Sequence, residues 1–168
     1  VYSKRANNTI LALADQTRFW IDSQAFEDIL AQVGVLPLEQ KAARISILEQ
    51  ARKLYHGDFL PEETTVANVR ERRQTLHRQW VTGTLELVDL ALDEQRPAGV
   101  IELLNQLITN DATNEAAVQR LMFVLARQQR RVEAVQAYQR LASILQHTAH
   151  STPSPETQAL LQSIQQGD

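Results

Sequence analysis

Apolar residues recur at every third or fourth position through most of this chain, and polar residues gather between those runs. The clearest case lies between Glu115 and Leu145. Val118, Leu121, Met122 and Leu125 form one set, and Val135, Tyr138, Ala142 and Leu145 form a second, with Arg127-Gln128-Gln129-Arg130-Arg131 between them. Because an α-helix turns once per ~3.6 residues, each set falls on a single face, and the pattern predicts two amphipathic helices joined by a polar turn. A pair this short cannot cover its own apolar stripes. It needs neighbours of the same kind to stack against.

Such a neighbour is visible about 34 residues earlier, the period of tetratricopeptide helix hairpins. At that offset Leu87 falls on Leu121, Gln95 on Gln129, Arg96 on Arg130, Ile101 on Val135, Leu104 on Tyr138 and Leu107 on Leu141. Apolar positions and polar turn come into register together. The expected architecture is therefore all-α, built from tetratricopeptide-like stacked helical hairpins.

Other segments extend the pattern. Ala25, Phe26, Ile29, Leu30 and Val33 line one helix face, with Asp22 or Ser23 as a cap and Gly34 as the end. Pro37 is expected to begin the next helix, which runs through Ile45, Leu48, Ala51 and Tyr55 to a stop at Gly57. Asp58-Phe59-Leu60-Pro61 then turns the chain, with Phe59 and Leu60 tucked under the bundle. A helix of about 30 residues follows from Thr64 or Thr65 towards Pro97, bent at Gly83, polar in its first half and apolar in its second. Helices from Ala98 to Thr109 and from Pro155 to Gln165 complete the set, the last opened by Ser154-Pro155-Glu156. Val1 to Ile21 differs. Thr9-Ile10-Leu11-Ala12-Leu13 and Arg18-Phe19-Trp20-Ile21, separated by Asn7-Asn8 and Asp15-Gln16-Thr17, predict two or three short strands, with Phe19 and Trp20 as anchors.

Composition sharpens this picture. Five glycines, five prolines and 5% aromatic residues in 168 favour helices over a sandwich or barrel, and 43% hydrophobic residues suffice for one compact domain. A net charge of -3 supplies no overall attraction to nucleic acid or anionic membranes. The absence of cysteine removes disulfides, thiolate metal sites and cysteine nucleophiles. Apolar runs such as Ile10 to Ala14 fall far short of the ~20 residues that span a bilayer, so no membrane contact is expected. Opening on Val1 within a strand pattern, the sequence reads as part of a longer, cytoplasmic protein.

Catalytic chemistry finds no motif: no glycine-rich phosphate loop, no Gly-x-Ser-x-Gly, no His-Glu-x-x-His. No cofactor, metal or small-molecule site is expected, and His147 and His150 lack an acid beside them to complete a ligand set. Arg70, Arg73 and His77 are spaced to form a basic ridge on the long helix, either a solvated face paired with Glu71 or Asp58 or a contact for an acidic partner or DNA backbone. Tyr138 and Met122 fall on the apolar face and read as core. Phe123 lies off it, so it either fills a contact with an adjoining helix or stands in a partner groove.

These residues, in this order, resemble the bacterial transcriptional activator domain of SARP-type regulators from about Asp22 to Ile164. The sharpest match is Leu48-Glu49-Gln50-Ala51-Arg52-Lys53-Leu54-Tyr55-His56-Gly57-Asp58-Phe59-Leu60, followed by Arg73-Gln74-Thr75-Leu76, Glu115 to Met122, Ala134-Val135-Gln136-Ala137-Tyr138 and Pro153 to Thr157. Asp22 with Phe26 resembles the family's junction with a winged DNA-binding domain. The resemblance implies that 1–21 are strands left from the end of that winged domain and 22–168 the helical module. It further implies a non-enzymatic regulatory module that orients the upstream domain and docks RNA polymerase, another subunit, another domain of the parent or a second copy, with DNA touched only through the upstream domain. The competing expectation is a tetratricopeptide adaptor or sensor in a larger signalling ATPase. Departures from the family pattern include Gln129 in place of a glycine in the last helical turn, Asp111-Ala112 in place of Asp-Pro, and Ala149-His150 in place of Leu-Gly.

Overall fold

A computed structural model describes residues 2–5, 8–11 and 22–167. Two short strands, β1 (Tyr2–Arg5) and β2 (Asn8–Leu11), pair antiparallel with Tyr2 opposite Leu11 and Arg5 opposite Asn8. Phe19 and Trp20, the expected anchors, lie outside the described residues. Seven helices follow: α1 (Asp22–Val35), α2 (Lys41–Leu54), α3 (Ala67–Asp93), α4 (Val100–Asn110), α5 (Glu115–Arg127), α6 (Arg131–Ala149) and α7 (Pro155–Gln166). Each packs against the next through α6, and α7 lies across both α5 and α6. The expected all-α stack of hairpins is the observed one.

The repeat holds down to single hydrogen bonds. At the end of α3 the amide of Gln95 donates to Leu92 O at 3.0 Å and that of Arg96 to Ala91 O at 2.8 Å. At the end of α5 the amide of Gln129 donates to Ala126 O and that of Arg130 to Leu125 O, both at 2.9 Å. Both are Schellman closures, in which a left-handed residue lets the chain satisfy the last helical carbonyls. Gln95 (φ 56) and Gln129 (φ 63) are those left-handed residues. The family's glycine is thus replaced at the position where its conformational freedom would be used.

Packing follows the same register. Val100 and Ala134 are fully buried, as are Leu107 and its counterpart Leu141. Met122 and Leu104 also reach zero exposure in the main core, with Tyr138 half-buried against it. A smaller cluster of Val33, Ile45, Leu48 and Leu87 joins the first hairpin to α3, and Leu30 and Leu103 touch both clusters. α3 runs unbroken through Gly83. A Cβ there would stand 3.4 Å from the Leu30 and Leu48 side chains, so this glycine sits where three helices approach closely.

Several boundaries differ from the sequence expectation, four of them around the first hairpin and the start of α3. α1 continues one residue past Gly34 to Val35. Pro37 opens a turn, closed by Gln40 N to Pro37 O at 3.1 Å, and α2 starts only at Lys41. The cause is Arg44, whose guanidinium donates to Val33 O at 2.8 Å and Leu36 O at 2.9 Å and so fixes the corner between α1 and α2. α2 ends at Leu54 rather than near Gly57, because Tyr55 turns to an extended backbone (φ -87, ψ 103) and lays its ring on Trp80. α3 begins at Ala67 because Glu63 accepts from the Thr65 amide and hydroxyl and the Val66 amide, making a turn of the residues before it.

Candidate functional site

The Tyr55–Leu60 motif forms the corner where the helical stack begins. Tyr55 stacks on Trp80 with ring centroids 4.9 Å apart and planes 15° apart, and Phe26 meets it tilted by 48° at 5.8 Å. Offset aromatic contacts of this kind add to the area they bury. Burial, helped by the charge of Asp58, raises the Tyr55 phenol above its ordinary value. His77 places Nδ1 3.4 Å from the Tyr55 hydroxyl and its ring 5.8 Å from Trp80.

The loop after Tyr55 is held from α3. Arg73 donates from Nε to Phe59 O at 2.9 Å and from Nη2 to Glu63 O at 2.9 Å and to Leu60 O. Sequence spacing offered Glu71 or Asp58 as its partner, yet its donors go to main-chain carbonyls. Arg70 lies exposed one turn earlier and reaches Thr64 O at 3.3 Å. Arg72, between them, makes a two-pronged pair with Glu27 of α1 at 2.5 and 2.7 Å. The spacing had set Arg70, Arg73 and His77 on one ridge. The structure has them facing the loop and the aromatic corner.

Phe59 packs against the main core as expected, whereas Leu60 does not tuck under the bundle. It is 53% exposed with φ 45, because the loop reverses there and turns its side chain outward. Gly57 (φ 138) supplies the backbone freedom the loop needs two residues after Tyr55, rather than closing the helix. The result is a hollow of about 360 Å³ bounded by Asp22 and Ser23 at the start of α1, by Phe26, Tyr55 and Leu76 inside, and by Gly57 to Pro61 along the loop.

The remaining predicted residues lie elsewhere. Ala134 is fully buried where α6 enters the core, and Tyr138 covers it one turn later. Phe123 is 44% exposed on α5, its ring covered by Arg127 of the same helix at 5.6 Å. Three further polar ties escaped the sequence reading. Arg44, 7% exposed, pairs with Glu86. Arg120 clasps Asp89 at 2.7 and 2.6 Å, joining α5 to α3. Fully buried Thr157 donates to Glu115 at 2.7 Å and accepts from Gln119 at 2.7 Å, joining α7 to α5. Only Arg44 carried a signal, an arginine standing i, i+4 and i+7 with Leu48 and Ala51 on an apolar stripe.

Among the described residues no group of three His, Asp or Glu could hold a metal ion, and no helix is long and apolar enough to cross a membrane. Stacked amphipathic hairpins define a tetratricopeptide-like helical-repeat fold. The family model described as the bacterial transcriptional activator domain matches residues 21–165, and the chain belongs to that family. The family is one of bacterial transcriptional activator domains. Among solved structures, the C-terminal tetratricopeptide-containing domain of an FK506-binding protein from Plasmodium falciparum aligns with a TM-score of 0.57 at 13% identity, covering 86% of this chain and 89% of that one. That likeness is one of fold. No curated protein sequence matches the chain.

Proposed function

We propose that this module orients an upstream winged DNA-binding domain and presents its helical stack to a protein partner such as RNA polymerase or another subunit, touching DNA only through the upstream domain. The observation that carries the reading is the corner hollow. It is bounded by the first residues of α1 and by the Tyr55–Leu60 loop, so a domain placed before Asp22 would meet it directly. Membership of the activator family supports a setting in transcription. On this reading β1 and β2 are the terminal strands of the winged domain.

The corner suits that task physically. Tyr55 is held by Phe26 and Trp80, and Arg73 fixes the loop, so a neighbouring domain would bind without first ordering the surface. Leu60 offers an exposed apolar anchor beside polar Asp22 and Asp58, the arrangement of a small interface core with a polar rim. Exposed Arg70 supplies a charge that would face an acidic surface of that partner.

The test uses the parent protein with both domains. Leu60→Glu alters only an exposed side chain, so the melting temperature of the 168-residue chain should stay unchanged. Promoter activation should fall several-fold. Undiminished activation, with the winged domain still binding its site, would refute the orienting role.

A further inference from the structure

Where α1, α2 and α3 approach closely around Gly83, they leave between them a small hollow of about 10 Å³. Phe26 and Leu30 of α1, Leu48 of α2 and Trp80 of α3 give it apolar walls. Arg52 of α2 and Gln79 of α3 line it as well. Each of these two side chains is only half-buried as a whole, yet Arg52 Nε and Gln79 Oε1 are both shut off from solvent. Among the described residues neither atom has a hydrogen-bond partner. The outer end of Arg52 is engaged elsewhere, its Nη1 donating to Gln106 Oε1 of α4 at 3.5 Å.

Buried polar atoms are nearly always matched, because an unmatched one carries the whole cost of its lost hydration. Here the two atoms make opposite demands. A guanidinium N–H can only donate, and an amide oxygen can only accept. A cation would be repelled by the arginine, and an anion by the Gln79 oxygen, so neither ion satisfies both. The volume admits one molecule the size of water and nothing larger. Water alone both donates and accepts at that size, and two polar partners meet the least that an internal water requires.

We infer that this hollow is a binding site for a single structural water, which accepts from Arg52 Nε and donates to Gln79 Oε1. The water joins the first hairpin to α3 at the point where the two side chains make no direct bond. Such a bridge is nearly as favourable as a direct hydrogen bond. It adds a polar tie to a crossing otherwise held by apolar packing. The inference is independent of the corner reading, since it uses neither the Tyr55–Leu60 loop nor any upstream domain.

A crystal structure of the 168-residue chain at atomic resolution, with a second crystal soaked in bromide, tests the site directly. One water should stand within hydrogen-bond distance of both atoms at full occupancy. A direct bond between Arg52 and Gln79, no density between them, or an anomalous bromide signal there would each overturn the inference. Urea unfolding supplies a second measurement. Arg52→Met and Gln79→Met each set a methyl group where a polar atom stood, and each should lower the folding equilibrium constant about tenfold. The double variant should fall no further than either single one, because the shared water is lost only once. Losses that simply multiply would show that the two atoms share no partner, and would equally overturn it.

Discussion

Gln95 and Gln129 each hold a left-handed backbone that an L-residue adopts at a cost of about 1–2 kcal/mol. Both side chains are exposed, so little contact is lost on removing them. Part of the gain from glycine is offset by the extra freedom it gives the unfolded chain. Gln95→Gly and Gln129→Gly should therefore each stabilise the fold by about 0.5–1 kcal/mol, read from the midpoint of urea unfolding. Loss of stability on either substitution would show that the amide side chain contributes more than its placement suggests. The sequence exposed these two residues as repeat-equivalent, but not as left-handed. Their backbone conformation follows from the Schellman closure, and a glutamine gives no local hint of it.

At the level of the element, capping chemistry explains what could be read and what could not. α7 was legible because Ser154 accepts from the Thr157 amide and Pro155 fixes the first turn, both local effects. α5 likewise opens on Asn114, whose side chain accepts from Ala117 N at 3.0 Å. The starts of α2 and α3 and the end of α2 were misplaced because distant or loop side chains decide them: Arg44 reaching back to α1, Tyr55 turning onto Trp80, and Glu63 claiming the amides ahead of α3. Of the corner site, the Tyr55–Leu60 motif could be read. The Arg73 clamp could not, since its acceptors are carbonyls and carbonyls are not written in side chains.

The tie between α5 and α7 makes a pH-dependent prediction. Burial opposes the charge of Glu115, but hydrogen bonds from the Thr157 hydroxyl, the Ser154 amide and the Ser154 hydroxyl outweigh it and hold the carboxyl below its ordinary range. A depressed carboxylate contributes stability that is present above the unfolded-state pKa, about 4.3, and is lost as pH falls through the lower folded value. Glu115→Gln should therefore flatten the acid side of the melting-temperature profile below about pH 4.5 relative to wild type. Thr157→Val, which keeps the shape and deletes the hydroxyl, should cost about 1–3 kcal/mol at neutral pH by removing its bonds to Glu115 and Gln119. An unchanged acid limb in Glu115→Gln would place the pH sensitivity elsewhere.

Across the whole molecule, cohesion passes between neighbours rather than through one centre. α7 covers the outer face of the last hairpin and brings Ile164 into the main core. A chain ended after Ala149 would leave that face open, since a terminal repeat needs a capping element. Such a chain should melt well below the full-length protein and bind a hydrophobic dye in its folded state. A truncated chain with the melting temperature of the intact one would show the cap to be dispensable.

The matched closures at Gln95 and Gln129 bear on how such a domain changes in length. A genetic join running from Ala126 back into Asp93 would insert one further hairpin, and one from Leu92 forward into Arg127 would remove one. In either product the helix at the join would still end on a left-handed glutamine, and the buried pairs Val100/Ala134 and Leu107/Leu141 would still be interchangeable. Recombination within this gene could lengthen or shorten the scaffold in whole units without inventing a new seam.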